Sequence, residues 1–518
     1  MPESPARVLL RYNEPVEGAL GSVRVYDGNG ERVDAETITR PAPEEIAVAI
    51  DRELARGTYT VTWRAISADS DPISGAFVFH VEEPGAQPSG IAAEVLEGTP
   101  PLVSVFFTGG RFFDFALLLL CVGGVGALAL VLPSARDELL RSLYAVLALC
   151  AGALALVALL GVVFQGAAAG GLGLGEAFTW DVFSTVAETR YGEVSLIRVA
   201  LALTLALAAL ALRRGNGRDP KALLGLCLIV AAALVVTPSA SGHASTAGPV
   251  AFASDSAHVL SAAAWTGGLG FVVLALLLSR EERWPLAARA VPRFSILAVG
   301  AVAVLLVAGA ANAFLQVRTW SGLWETTYGL LLLAKIGLVV PLLALGAYNN
   351  RYAVPRLRKG IASVLEQRRF LRAAGAELAI MIAIVAVTAV LVNAEPARTE
   401  LVMMHGSTET TADLGNGVEC AVSAVPGTAG RNELHLMFSA HGGEPPDLEE
   451  VNVSATLPSQ EVGPFRYTAR PVQGHHGEYV VQNAQLAIPG EWHVRIEARR
   501  GELELLTATV TISIREES

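Results

Sequence analysis

Residues 237–269 read TPSASGHASTAGPVAFASDSAHVLSAAAWTGGL. A loop of small residues carries His243, and His258 opens a strongly apolar run that holds Trp265, Gly267 and Gly268. These are the only two histidines between Phe106 and Ala394, a region otherwise made mostly of hydrocarbon. His258, Ala262, Trp265 and Leu269 are spaced i, i+4, i+7, i+11, so they share one face of a helix. The adjacent glycines permit a second helix to come close. The stretch therefore reads as a loop at a membrane face followed by a spanning helix. A histidine there can bind a proton or a metal, and is costly to keep in hydrocarbon without a use.

Apolar runs of spanning length repeat on either side of it. Eight are expected, at roughly 113–133, 143–165, 195–212, 222–240, 257–278, 295–316, 328–348 and 375–393. The connecting loops are asymmetric. The first, third, fifth and seventh carry 17 Lys/Arg and the others carry only Arg190 and Arg318. Basic loops stay cytoplasmic, so the His243 loop and both flanking segments are expected outside. Residues 1–98 hold 8 Lys/Arg against 17 Asp/Glu, and residues 394–518 hold 8 against 18. Acidic flanks around a basic membrane core exclude a nucleic-acid partner and make the lipid bilayer the first partner.

The flanks alternate as strands do. Runs at 8–12, 22–26, 45–50, 58–64 and 76–81, with turn chemistry at Asp27-Gly28-Asn29-Gly30 and Arg56-Gly57, predict a small all-β domain over residues 1–85. A Pro/Gly/Ala-rich linker covers 86–112, and the membrane domain covers 113–393. Runs at 418–425, 433–439, 451–457, 478–485, 491–498 and 505–514 predict a second β domain over 399–518. The expected architecture is thus an all-α eight-helix transmembrane bundle flanked by two extracytoplasmic, sandwich-like all-β domains. Cys121, Cys150 and Cys227 lie inside apolar runs and only Cys420 lies in a flank, so no disulfide framework can form.

Several polar groups could carry chemistry. His243 and His258 form a two-nitrogen clamp if the loop folds back over the bundle, with Asp255 one turn before His258 as a further ligand. The bland alternative is two interfacial histidines bonded to backbone. Met403, Met404 and His405 follow the last helix and offer the thioether and imidazole ligands that Cu(I) prefers. Against that, neighbours on a strand point to opposite faces. Lys335 lies inside the seventh span with Asn312 as its expected partner, a polar lining or a snorkelling lysine. Glu193 and Arg198 open the third span, where they are expected to pair. His435, His441, His475 and His476 read as solvated histidines of the second β domain. No phosphate loop, Ser/His/Asp arrangement or CxxC occurs, which argues against an enzyme.

Three stretches resemble known families. Tyr12-Asn13-Glu14-Pro15-Val16, Gly57-Thr58-Tyr59-Thr60-Val61-Thr62-Trp63-Arg64 and Ser67-Ala68-Asp69-Ser70-Asp71-Pro72 are similar to bacterial copper-resistance domains of the CopC type. Ser241-Gly242-His243-Ala244, the 255–258 and 265–268 run, Arg293-Phe294-Ser295, Thr327-Tyr328-Gly329 with Lys335, and Asn350-Arg351 resemble the CopD type. Pro489-Gly490-Glu491-Trp492 resembles small copper-associated β domains of the YtkA type. The resemblance implies a fused copper-homeostasis membrane protein that binds copper at the outer face and transports it, with copper ions and extracytoplasmic copper chaperones as partners. It also implies a Cu(II) site in the first domain, made by an N-terminal histidine and an Asp-x-His pair. Asp69 stands at the aspartate position, but Asp71 stands where the histidine belongs, so that site is expected to be degraded. The family pattern starts only near Ser4-Pro5, so the natural chain is expected to begin upstream of Met1. Two rival readings remain: a haem- or quinone-binding membrane redox protein, and an assembly or sensing scaffold whose outer β domains bind a partner.

Overall fold

The computed structural model describes the chain apart from residues 1–3, 13–15, 18–22, 36, 68–71, 83–99, 134, 216–218, 246–247, 318–319, 395–396, 398–409, 426, 428, 441–445, 461, 473–476, 502–503 and 516–518. Among the described residues, eight helices are long and apolar enough to cross a membrane: α1 (Pro101–Val131), α2 (Asp137–Gly170), α3 (Arg190–Arg214), α4 (Pro220–Ala240), α5 (Pro249–Leu278), α6 (Arg283–Val317), α7 (Thr327–Arg358) and α8 (Val364–Leu391). All eight expected spans are present, most of them longer than hydropathy alone indicates. α1 begins at Pro101 rather than near 113, and α5 at Pro249 rather than near 257. In each case a proline sits at the first helical position. There its missing N–H is no loss and its fixed φ suits the helix.

α1 and α5 are the most enclosed spans and α7 the least. The contact between α1 and α5 is set by glycine. A Cβ on Gly267 would lie 1.9 Å from the Leu119 carbonyl oxygen, and one on Gly123 would lie 2.0 Å from the Ala263 carbonyl oxygen. The two backbones therefore touch, as small residues permit in membrane packing. Around this crossing lie fully buried Leu118, Leu143, Leu147, Leu154, Leu205, Leu234 and Phe271. Cys121 and Cys227 are buried among them, and all four cysteines are free.

The N-terminal domain consists of β1 (Arg7–Arg11), β2 (Val16–Glu17), β3 (Val23–Tyr26), β4 (Ile38–Thr39), β5 (Glu45–Ala49), β6 (Gly57–Ser67) and β7 (Pro72–Val81). One sheet runs β1-β5-β4; the other runs β2-β6-β3, with β7 also paired to β6. Alternate residues Val23, Val25, Ile46, Val48 and Val61 point into the core between them.

The C-terminal domain is all-β. It comprises β8 (Thr410–Gly415), β9 (Val418–Val425), β10 (Gly430–Ala440), β11 (Glu450–Leu457), β12 (Val462–Pro471), β13 (Glu478–Leu486), β14 (Gly490–Arg500) and β15 (Glu504–Ile514). They form one antiparallel sheet in the order β15-β14-β11-β12-β13-β10-β9-β8. Thr410 Oγ1 on the first strand donates to the Thr511 carbonyl on the last at 3.1 Å, so the sheet curls towards a closed barrel rather than two separate layers. Its centre holds fully buried Trp492, whose Nε1 donates to the Ile488 carbonyl at 2.9 Å. β8 and β12 escape the sequence pattern: β8 is short and polar, and β12 exposes nearly every residue.

Candidate functional site

α4 ends at Ala240 and α5 begins at Pro249. Gly248, at φ 93°, takes the backbone turn that admits the second helix. Between them His243–Ser245 forms one 3-10 turn packed against both helices. For His243 the backbone alone is described.

Ser254, Asp255 and His258 follow on the first turns of α5. Asp255 Oδ2 accepts from Ser239 Oγ at 2.7 Å, and its Oδ1 accepts from Asn312 Nδ2 at 3.1 Å. Ser254 Oγ donates to Asn312 Oδ1 at 2.9 Å. One carboxylate thus ties α4, α5 and α6 together. The His258 ring lies over Gly309 of α6, where a Cβ would stand 3.1 Å from Cε1 and 3.3 Å from Nδ1. Nδ1 is buried and has no hydrogen-bond partner. Lys335 on α7 is close enough to interact electrostatically with both Asp255 and His258. Asn312, the expected partner of Lys335, donates to Asp255 and accepts from Ser254.

A second polar group lies behind the first. Arg198 Nη1 pairs with Asp114 Oδ2 at 2.6 Å, and Arg198 Nε donates to Thr237 Oγ1 at 2.9 Å. Both charged residues are more than nine-tenths buried. The expected Glu193–Arg198 pair is replaced by this one. Positions i and i+5 fall on different faces of a helix, whereas α1 presents Asp114 directly to Arg198. Thr237 and Ser239 sit two residues apart on α4, so polar side chains extend from Asp114 on α1 to Asn312 on α6. Asp114, Thr237, Ser239 and Ser254 were not singled out from sequence. The available signal was an aspartate at the start of an apolar span, which is rarely placed there without a function or a partner.

Of the other expected ligands, Asp69, Asp71, Met403, Met404, His405, His441, His475 and His476 lie outside the described residues. His435 is not a solvated histidine. It lies on β10 with Nδ1 3.0 Å from Glu478 Oε1 and Nε2 3.7 Å from Glu433 Oε2. Burial pulls its pKa down, but hydrogen bonds and charge from the two glutamates outweigh that and raise it to about 9. Among the described residues, no group of three or more His, Cys, Asp or Glu side chains is arranged to hold a metal.

The N-terminal domain rests at the same end of the bundle as the His243 turn. Glu17 on β2 accepts the backbone N–H of Arg190 through Oε1 at 2.8 Å. The Arg190 side chain then donates through Nε to the Ala240 carbonyl at 2.9 Å, three residues before His243. Arg64 on β6 lays its guanidinium over Gly171, the left-handed residue that ends α2.

Comparison with known families follows the same three parts of the chain. A CopC domain matches residues 1–82, the N-terminal domain of copper resistance protein D-like proteins matches 102–252, and copper resistance protein D matches 288–391. The chain joins CopC and CopD family domains in one polypeptide. Over 521 residues the fusion is 28% identical to the copper transport protein CutJ of Bacillus subtilis (strain 168), spanning 98% of this chain and 92% of that one. Over 253 residues it is 26% identical to the inner membrane protein YebZ of Escherichia coli (strain K12), spanning 48% of this chain and 84% of that one. In the fusion His243 falls in the first D-type segment, and Asn312 and Lys335 fall in the second. Asp255 and His258 lie on α5 between the two matched segments.

Proposed function

We propose that this copper-homeostasis membrane protein takes copper at the His243/His258 end of its bundle and passes it across the membrane. The basic-loop asymmetry supports an extracytoplasmic placement of that end and of both β domains. The observation that carries the reading is the imidazole of His258. It has a buried, unpartnered Nδ1 at the mouth of the bundle, on the helix next to the His243 turn. A neutral imidazole nitrogen with no hydrogen bond is a ready ligand for a borderline or soft metal ion. Asp255 orients the helix ends and adds negative charge, although both its oxygens already accept hydrogen bonds. Lys335 and Asn312 extend the polar lining towards α6 and α7. The N-terminal domain, held by Glu17 and Arg190 beside the same turn, is positioned to deliver or dock. With Asp71 where a histidine belongs beside Asp69, its own Cu(II) site is degraded and the domain serves as a scaffold or docking surface, while Met403, Met404 and His405 offer a Cu(I)-type ligand set on the tail. Extracytoplasmic copper chaperones are the partners this arrangement suits.

The test is copper stoichiometry of the purified full chain, loaded at limiting metal, for the unmodified protein and for His243→Ala, His258→Ala and both together. One shared site predicts that either single change loses nearly as much copper as the pair, because a single remaining imidazole holds metal poorly. Losses that simply add would indicate two independent sites. Unchanged copper content in the double variant would refute the assignment.

A further inference from the structure

At the other end of α5, α6 and α7 lies a cavity of about 340 Å³. Its walls are Trp265, Phe294, Leu343 and Phe370, and at one side it meets Asn349 and Glu377. Trp265 lies seven residues beyond His258 on α5, roughly 10 Å along the helix. Asn349 is the first residue of a π-helical segment, Asn349–Ala353, that interrupts α7. Such single-turn widenings are frequent at functional sites. The Asn349 amide nitrogen donates to Glu377 Oε1. Its Oδ1 is left without a partner, and the two residues are 7% and 5% exposed. Buried polar atoms are nearly always satisfied, so a lone carboxamide oxygen beside an empty, mostly apolar space calls for a donor from a ligand.

We propose that this cavity binds a reduced quinone: a neutral, flat ring that carries a hydroxyl group and an apolar tail. The hydroxyl donates to Asn349 Oδ1. The ring lies among Trp265, Phe294 and Phe370, whose faces and edges suit an aromatic guest. The volume falls at the lower end of the range for small-molecule sites, with the usual mix of apolar walls and few convergent polar groups. No lysine, arginine or histidine lines it; its polar groups are the Glu377 carboxyl, the Asn349 amide, and Ser295 and Asn350, which bond to each other, so a phosphate or carboxylate headgroup would meet no cation there. α6 and α7 leave most of their surface unburied within the protein, and a tail leaving between them enters the bilayer directly. The site is separate from the copper reading and needs no metal.

The experiment is a titration of the detergent-solubilised full chain, under nitrogen, with a short-chain 1,4-naphthoquinol while tryptophan emission is followed. Saturable quenching is expected, and it should be largely lost in Trp265→Phe. The 1,4-dimethyl ether of the same quinol has the same ring but no donor. It should bind about tenfold or more weakly, because the buried oxygen stays unsatisfied. Asn349→Leu should lower quinol affinity to that of the ether. Equal affinity for the quinol and its ether on the unmodified protein would overturn the proposal, whether or not the variant folds. So would quenching that does not saturate, or full displacement of the quinol by an equal concentration of diacylglycerol, which would make this a lipid site.

Discussion

The glycine crossing of α1 and α5 fixes the frame from which His258 and Trp265 both project, and its strength can be tested directly. In Gly267→Ala the new methyl would stand 1.9 Å from the Leu119 carbonyl oxygen, whereas ordinary contact starts at 3.4 Å. The helices must separate by the difference, about 1.5 Å, because the obstacle is backbone and no side chain can rotate away. Gly123→Ala meets the same obstacle from the opposite side, 2.0 Å from the Ala263 carbonyl oxygen. Overpacking of this kind costs about 1–3 kcal/mol, and rigid neighbours on both sides put it at the upper end. A loss near 3 kcal/mol would lower the unfolding midpoint by roughly 5–10 °C. The double variant should lose less than the two losses combined, since the first methyl already opens the space for the second. The assay is thermal unfolding in detergent, read by size-exclusion recovery of the monodisperse protein. Gly152→Ala and Gly225→Ala are the controls. Nothing lies within 4 Å of either added methyl, so relief of helix-interior glycine should leave them neutral or more stable by about 0.5–1 kcal/mol. If Gly267→Ala and Gly123→Ala melt with the controls, the close crossing is not what holds α5.

Three further outcomes are expected. Arg198→Leu leaves Asp114 buried without its cation and should cost about 3–5 kcal/mol, most of it recovered in Asp114→Leu/Arg198→Leu; equal melting of the single and double variants would show that the pair is not coupled. His435 has its pKa raised to about 9 in the folded sheet, so the stability it contributes is complete below about 6.5 and disappears as pH rises through 9, a change of about 3 kcal/mol. The protection factor at β10, the exchange rate corrected for its intrinsic rise with pH, should therefore fall between those values in the unmodified chain and not in His435→Gln; the same protection profile in both chains would remove the glutamate clamp. Gly309→Val pushes a side chain into the His258 ring and should weaken copper binding about tenfold, as loss of a ligand's support does, and unchanged binding would take that ring out of the site.

Eight spans, their order and the two β flanks were legible because hydropathy and alternation are local properties. Helix ends were less so. Hydropathy marks the part of a helix that lies in hydrocarbon, and α1, α5 and α6 continue through polar turns such as 249–256 before or after it. Partners were least legible. Asp114 and Arg198 are 84 residues apart, and their pairing depends on which faces of α1 and α3 meet. The histidines stood out because the core holds so few, whereas Glu377, inside the expected eighth span, drew no attention although an acid there carries the same signal as Asp114. β8 and β12 went unseen because they bury too little to alternate clearly, and the near-barrel depends on both of them.

The arrangement of charge at the mouth bears on which metal the proposed site would choose. Asp255 is held by two neutral donors, Ser239 and Asn312, and stands within range of Lys335. Its carboxylate is therefore largely committed before any ion arrives. A hard cation such as Mg²⁺ or Ca²⁺ favours several oxygen ligands with carboxylates among them, whereas the buried side-chain oxygens without a partner on the His243 turn and α5, among the described residues, are the neutral hydroxyls of Ser245 and Ser256. A neutral imidazole whose Nδ1 is free suits copper far better, since nitrogen ligands compensate for a low ligand count with a stronger bond. Selectivity under the proposed function thus comes from what Asp255 withholds as well as from what His258 offers. Removing the two donors, in Ser239→Ala/Asn312→Leu, frees both carboxylate oxygens and so should relax that selectivity rather than merely weaken binding.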